Sequence, residues 1–218
     1  MKIALIGATG FVGSAVLAEL LQRGHAVTAL ARNPGKLAPQ ANLTPRALDA
    51  DDADAVAAAV KGHDAVVSAF NPGWDAPELY ARFMRGSAAI AAGVEQAGVE
   101  RLLVVGGAGS LFVAPGVQMV DTAEFAQHVP PNVIPGAKAA RDALTALRGN
   151  TALEWTFLSP PALLQPGERT GKYRVGGEEL LMAGDKPAGI SVADLAVAIV
   201  DELETPRHVR ARFTVATA

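Results

Sequence analysis

Cysteine is absent from all 218 residues, and its absence removes disulfides, thiolate metal sites and thiol nucleophiles in one step. The four histidines, His25, His63, His128 and His208, stand far apart, so no stretch has the ligand spacing of a metal site and none is expected. Aromatic residues make up only 5%, with two tyrosines and two tryptophans; any catalytic tyrosine must come from that pair. The formal charge is −3, which leaves no basic stripe for a phosphate backbone or an anionic bilayer face, and neither nucleic acid nor membrane is an expected partner. The apolar run after Met1 stops at Gly7, too short for a signal sequence or a span, so cytoplasmic residence is the expectation.

What remains is a chain that is half hydrophobic and 19% charged, a composition suited to one globular domain over 1–218. Short apolar runs at 2–6, 26–31, 43–48, 65–69, 102–105, 154–158 and 212–215 read as seven strands. They alternate with helical periods at 11–23, 52–61, 76–97, 136–148 and 192–203. Asp51, Asp52 and Ser191 are placed to open helices, and Gly24 and Gly62 to close them. The alternation predicts an α/β class, a Rossmann-like doubly wound parallel sheet in the order 3-2-1-4-5-6, with ligands over the carboxyl ends of its strands. Two irregular stretches, 106–135 and 160–189, read as substrate-region insertions; the glycine-bounded segment 171–177 in the second reads as a short hairpin.

The chemistry-bearing motif is Gly7-Ala8-Thr9-Gly10-Phe11-Val12-Gly13, which follows a strand at once and opens an amphipathic helix. In that context Gly7 makes the tight turn, Gly10 lets the backbone approach a pyrophosphate, and Gly13 lets helix pack on strand. A bare structural turn is the alternative. At the end of the second strand the usual ribose-binding acid is missing, and the run is Ala31-Arg32-Asn33-Pro34. Arg32, helped by Lys36, suits a 2′-phosphate and favours NADP(H), with NAD as the lesser option; it is otherwise a solvated loop cation. Asp49 is placed either beside the adenine or as a helix cap.

These segments, with Asp64-Ala65-Val66-Val67-Ser68, Val104-Val105-Gly106-Gly107-Ala108-Gly109-Ser110, Phe157-Leu158-Ser159-Pro160-Pro161 and Ile190-Ser191-Val192-Ala193-Asp194, resemble the atypical short-chain dehydrogenase/reductases. Within these they resemble the branch of flavin reductase/biliverdin reductase B and the NADH-flavin reductases. The resemblance implies that Ala69 and Phe70 face the adenosine side, that Gly106 and Gly107 pass beneath the nicotinamide ribose, and that Ser159 and Pro160 pack near the nicotinamide amide. It also implies that Ser110 faces the substrate, although a serine there can equally cap a turn.

The superfamily's Tyr-x-x-x-Lys motif has its best register at Ile134-Pro135-Gly136-Ala137-Lys138: lysine is present, tyrosine is not, and Lys138 is either a ribose contact or a surface cation. Ketone reduction without that acid loses roughly 10²–10⁴-fold. A planar conjugated acceptor such as a flavin or quinone needs orientation more than a proton donor. Trp74, Leu111, Phe112, Tyr173 and Phe70 are the flat or apolar candidates to stack on it, with ordinary packing as the other role for each. The expectation is therefore an NADPH-dependent reductase, monomeric or homodimeric; the alternatives are an NmrA-like redox sensor without turnover and a nucleotide-retaining epimerase.

Overall fold

The computed structural model describes residues 1–218. Eight strands form the central sheet: β1 (Lys2–Ile6), β2 (Ala26–Ala31), β3 (Leu43–Ala47), β4 (Ala65–Ser68), β5 (Arg101–Val105), β6 (Glu154–Ser159), β7 (Tyr173–Gly176) and β8 (Ala211–Thr217). Their order is β3-β2-β1-β4-β5-β6-β8-β7. All neighbours are parallel except β7, which runs antiparallel to β8 with Tyr173 opposite Thr217. The expected doubly wound order is present, extended by two strands at one edge. The glycine-bounded segment is that edge strand and not a hairpin; a hairpin does occur further on, pairing Met182–Ala183 with Lys186–Pro187.

Of the helices α1 (Phe11–Gln22), α2 (Ala53–Val60), α3 (Leu79–Gln96), α4 (Ala123–His128), α5 (Ile134–Arg148) and α6 (Val192–Glu204), all but the short α4 divide between the two faces as crossover connections require. One face packs α1 and α6 over Ile3, Leu5, Val27, Val67 and Phe213. The other packs α2, α3 and α5 over Ala4, Ile6, Leu30, Leu102 and Phe157. Strand residues alternate between the two clusters with period two, so the buried strands read as nearly continuous apolar runs.

Helix starts differ from expectation in three places. Of the two aspartates expected to cap α2, Asp52 does so by accepting from the Ala55 amide at 3.0 Å, and Asp51 lies one residue outside, its amide bonded to Asp49 Oδ1. Helix α3 starts at Leu79 after Glu78, whose φ of +51° interrupts the helical path. Helix α5 starts two residues early, at Ile134, where Pro135 occupies a first-turn position that needs no amide hydrogen. Ser191 caps α6 as expected, accepting from the Asp194 amide.

The far end of α1 is tied down by charge. Buried Glu19 takes a bidentate pair from Arg169 at 2.7 and 2.8 Å and a third bond from Arg23 at 2.7 Å. The Arg169 hydrogen bonds, aided by Arg23 and opposed by burial, hold the Glu19 carboxyl below its ordinary 4.5. A depressed folded-state pKa contributes stability that is fully present above about 4.5 and is lost as pH falls through the folded value. Thermal melts taken from pH 7 down to pH 3 should therefore show a steeper acid loss for the native protein than for Glu19→Gln; parallel curves would sink the assignment.

Candidate functional site

The glycine turn sits at the carboxyl end of β1. Gly7 has φ +80°, and a Cβ there would stand 2.4 Å from the Ala69 carbonyl oxygen; at Gly13 it would stand 2.0 Å from the Gly7 carbonyl oxygen. Backbone thus lies flush against backbone at both positions, which only glycine permits. Gly7 and Gly10 amides are satisfied by Leu30 and Gly7 carbonyls. The amides of Thr9, Phe11, Val12 and Gly13 find no acceptor within the chain, and α1 has no side-chain cap. Those free donors at the positive end of a helix of 12 residues are of the kind that can hold paired phosphates. Thr9 and Phe11 are exposed, while Val12 turns its side chain into the α1/α6 core, so its contribution to a ligand is its amide.

Beyond β2, exposed Arg32 donates to the Pro72 carbonyl at 3.3 Å and lines an open groove with Arg46, Asp49 and the alanines of α2. Asp49 does not cap α2: its carboxylate accepts from the Asp51 amide in a local turn, and the residue borders the groove. Arg46 was not predicted; as a β3 residue it reads as strand interior, and only its place on the uncovered edge strand brings it beside Arg32.

The segment after β4 departs from expectation. Ala69 lies against the glycine turn, but the Phe70 ring turns away from the carboxyl edge and inserts between sheet and α3. There it meets Phe83 at 5.9 Å between ring centroids and fills space that a Gly86 side chain would occupy. Phe70 is therefore packing, beside an apolar cavity of about 130 Å³ under α3 and α5, which is too small for a fused ring system. Trp74 is 47% exposed and, with Leu79 from the start of α3, lies against Gly136 in the first turn of α5.

Gly106 and Gly107 follow β5 at the same edge. A Cβ on Gly106 would meet the Phe157 ring at 2.0 Å, so this glycine serves close packing whatever else passes over it. Ser110 is 1% exposed and shares its hydroxyl with the Gly107 carbonyl and Ser159 Oγ, each at 3.3 Å. It faces inward rather than towards a substrate, because the single 3-10 turn Ala108–Ser110 folds it under the loop. Ser159 and Pro160 are buried beside it. Lys138 is exposed on α5, one turn before Asp142. The Asp142 carboxyl is held below its ordinary value first by an Arg141 hydrogen bond, then by Tyr80 and the charges of Arg141 and Lys138, with burial opposing. The phenol bonded to Asp142 belongs to Tyr80, 2.8 Å away, so the tyrosine nearest to Lys138 comes from another helix and is engaged with a carboxylate.

Between the two irregular stretches opens a cleft of about 1290 Å³, reached from Ala108 after β5 and Ala162 after β6. Phe112, Met119, Phe125, Leu163, Leu180 and Met182 form its apolar surface. Phe112 is the predicted stacking residue that the structure places there. Leu111 is 0% exposed and belongs to the core beneath. Tyr173 lies elsewhere: its hydroxyl donates to Asp201 at 2.6 Å, which also receives Arg23, a helix length of about 18 Å from the glycine turn. Burial and then the Asp201 contact push the Tyr173 phenol well above its ordinary range.

Under the cleft lies Arg212, its side chain wholly buried. It donates to the Glu178 carbonyl at 2.8 Å and carboxylate at 2.6 Å, to Ser159 Oγ at 3.4 Å and, at 3.5 Å, towards the Ser110 carbonyl. Its only sequence signal is a cation inside an otherwise apolar strand.

A family model described as NAD(P)H-binding matches residues 7–206, from the glycine turn to the end of α6. The chain belongs to the NAD(P)H-binding family. Within reach of this family, the uncharacterized protein YwnB of Bacillus subtilis is 40% identical over 99% of this chain and 98% of its own length. Among solved structures, a Bacteroides thetaiotaomicron protein provisionally called an epimerase superposes with TM-score 0.91 at 44% identity, covering 99% of this chain and 96% of that one. A Streptococcus pneumoniae protein provisionally called an NADH-flavin reductase does so with TM-score 0.83 at 33% identity, covering 100% of each chain. The free amides of Thr9 to Gly13 and the two glycines that a Cβ would overfill fit the nicotinamide cofactor that defines the NAD(P)H-binding family.

Proposed function

We propose that this chain is an NADPH-dependent reductase of a planar conjugated acceptor. The observation that carries the reading is the large apolar cleft opening at the ends of β5 and β6, at the edge that carries the glycine turn, with Ile134 where a proton-donating tyrosine would stand. When bound, the reduced nicotinamide supplies a hydride; solvent supplies the accompanying proton. The chain's own contribution is to hold the pyrophosphate on the amides of Thr9, Phe11, Val12 and Gly13, to pass the Gly106-Gly107 backbone under the ribose, and to orient a flat acceptor against Phe112. Orientation of this kind lowers the barrier by removing the entropy of encounter. Rates of NADPH oxidation against flavins, quinones and simple ketones test it. Turnover of conjugated acceptors supports the reading, and turnover restricted to ketones or to sugar epimerisation would refute it.

The preference for the phosphorylated cofactor rests on Arg32 and Arg46 flanking one groove with Ala31 in place of a ribose-binding acid. A charge-assisted contact to a 2′-phosphate is worth about 1.5–3 kcal/mol. Arg32→Ala should raise the NADPH dissociation constant roughly 10–100-fold on that basis and leave NADH unchanged, as read by quenching of Trp74 and Trp155 fluorescence. An equal effect on both nucleotides would show that Arg32 does not read the phosphate.

A further inference from the structure

The cleft combines an apolar floor with walls of one charge sign. Glu124, Glu178, Glu179 and Asp185 line it, and neither lysine nor arginine does. Glu178 is paired with both Arg148 and Arg212, each at 2.6 Å, and Arg174, outside the lining, donates to the Met182 carbonyl. The side chains of Glu124, Glu179 and Asp185 are exposed and make neither a salt bridge nor a hydrogen bond with the rest of the chain. They come from three different places, α4, the strand-free segment after β7 and the tip of the 182–187 hairpin, so their convergence belongs to the folded cleft and to no single acidic stretch. His128 is the remaining titratable group; its Nδ1 bonds the Glu124 carbonyl. Lys186, next to Asp185, is exposed and outside the lining. Leu163 and Met182, 56% and 43% exposed, leave apolar surface uncovered between these carboxylates.

A neutral ring system would cover that apolar surface without cost, whereas a phosphate-bearing one would bring like charges together inside a partly enclosed space. Three carboxylates without an ion-pair partner oppose a dianion in the same cleft even in water-like surroundings, and more so where the protein displaces solvent. We infer that the cleft accepts planar acceptors carrying no anionic group and discriminates against phosphorylated or otherwise anionic ones, so that riboflavin-like rings and neutral or cationic heteroaromatics enter and flavin nucleotides are repelled. The inference rests on the reading of this cleft as the acceptor site.

Equilibrium titrations of riboflavin and of FMN with the full chain, followed by flavin fluorescence, test it without requiring turnover. At low ionic strength riboflavin should bind at least about tenfold tighter than FMN. The ratio should fall towards one at about 0.5 M salt, where screening is nearly complete at these distances. It should fall equally in the triple variant Glu124→Gln, Glu179→Gln, Asp185→Asn, whose exposed positions leave Tm unaltered. FMN binding as tightly as riboflavin, neither flavin binding at all, or a preference that survives the triple substitution would each overturn the inference. If the preference appears while NADPH is oxidised by no acceptor, the reductase reading fails and the charge selection stands.

Discussion

Gly13→Ala is expected to abolish measurable nucleotide binding and to lower the melting temperature. The added methyl would sit 2.0 Å from the Gly7 carbonyl oxygen, and neither partner is a side chain that can swing away. Helix α1 must lift from β1, at a cost of about 3 kcal/mol, roughly 6–12 °C for a chain of this size. The same displacement carries the amides of Phe11 and Val12 out of line with one another, so affinity for NADPH should fall by at least about 100-fold, since two charge-assisted contacts are lost. Gly35→Ala is the control: nothing lies within 4 Å of its Cβ position, and neither binding nor stability should change. Calorimetry and a thermal melt on both variants decide the matter; unimpaired binding in Gly13→Ala would mean the turn is not the phosphate cradle.

Arg101→Met should be equally damaging to stability and harmless to function. Arg101 opens β5 at the amino end of the sheet, remote from the carboxyl edge where the site lies. It donates to the Glu154 carbonyl at 2.9 Å, to Thr156 Oγ1 at 2.7 Å and to Glu202 at 3.2 Å. Its side chain and that of Glu202 are 8% and 4% exposed, and burial pushes the guanidinium below its ordinary value in spite of the partner. Removing the cation leaves a buried carboxylate with only His208 as an ionisable neighbour, a loss of about 3–5 kcal/mol. Replacing Glu202 by leucine as well should restore only part of this, because the amides of Arg207 and His208 would lose their shared acceptor. Urea unfolding should show the loss, while the NADPH dissociation constant of the folded fraction stays at its native value. A change in that constant would place Arg101 in the site after all.

Features set by neighbours in sequence were readable from it, and those set by distant contacts were not. The glycine turn, the flanking strand and the first helix are contiguous, so spacing alone specified them. Strand β7 was misread because its partner β8 lies about forty residues away; the glycines around it indicate a turn but not which strand pairs with it. Phe70 was assigned to the ligand edge on its place after β4, yet the decisive residue is Gly86, sixteen positions on, whose missing side chain lets the ring turn inward. Leu111 and Phe112 are adjacent and look interchangeable in sequence, but one is core and the other lines the cleft, a difference set by the backbone leaving the 3-10 turn in extended form. Tyr173 was drawn to the acceptor by its flat ring in an irregular stretch, whereas Asp201 on α6 holds it elsewhere. Charge convergence from three separate segments, as in the cleft walls, has no local signature at all.

Arg212 has a bearing on how the cleft can diversify. The guanidinium reaches from the sheet to both irregular stretches, and it holds the second through both the carbonyl and the carboxylate of Glu178 and the first more loosely through the Ser110 carbonyl. Any residue can supply the carbonyls, so apart from Glu178, whose carboxylate pairs the buried cation, side chains along the two lobes are free to be exchanged while the frame beneath them stays braced. What the cleft can hold is therefore open to change by substitutions in the lobes with little penalty in folding, provided Arg212 and its partner Glu178 are kept.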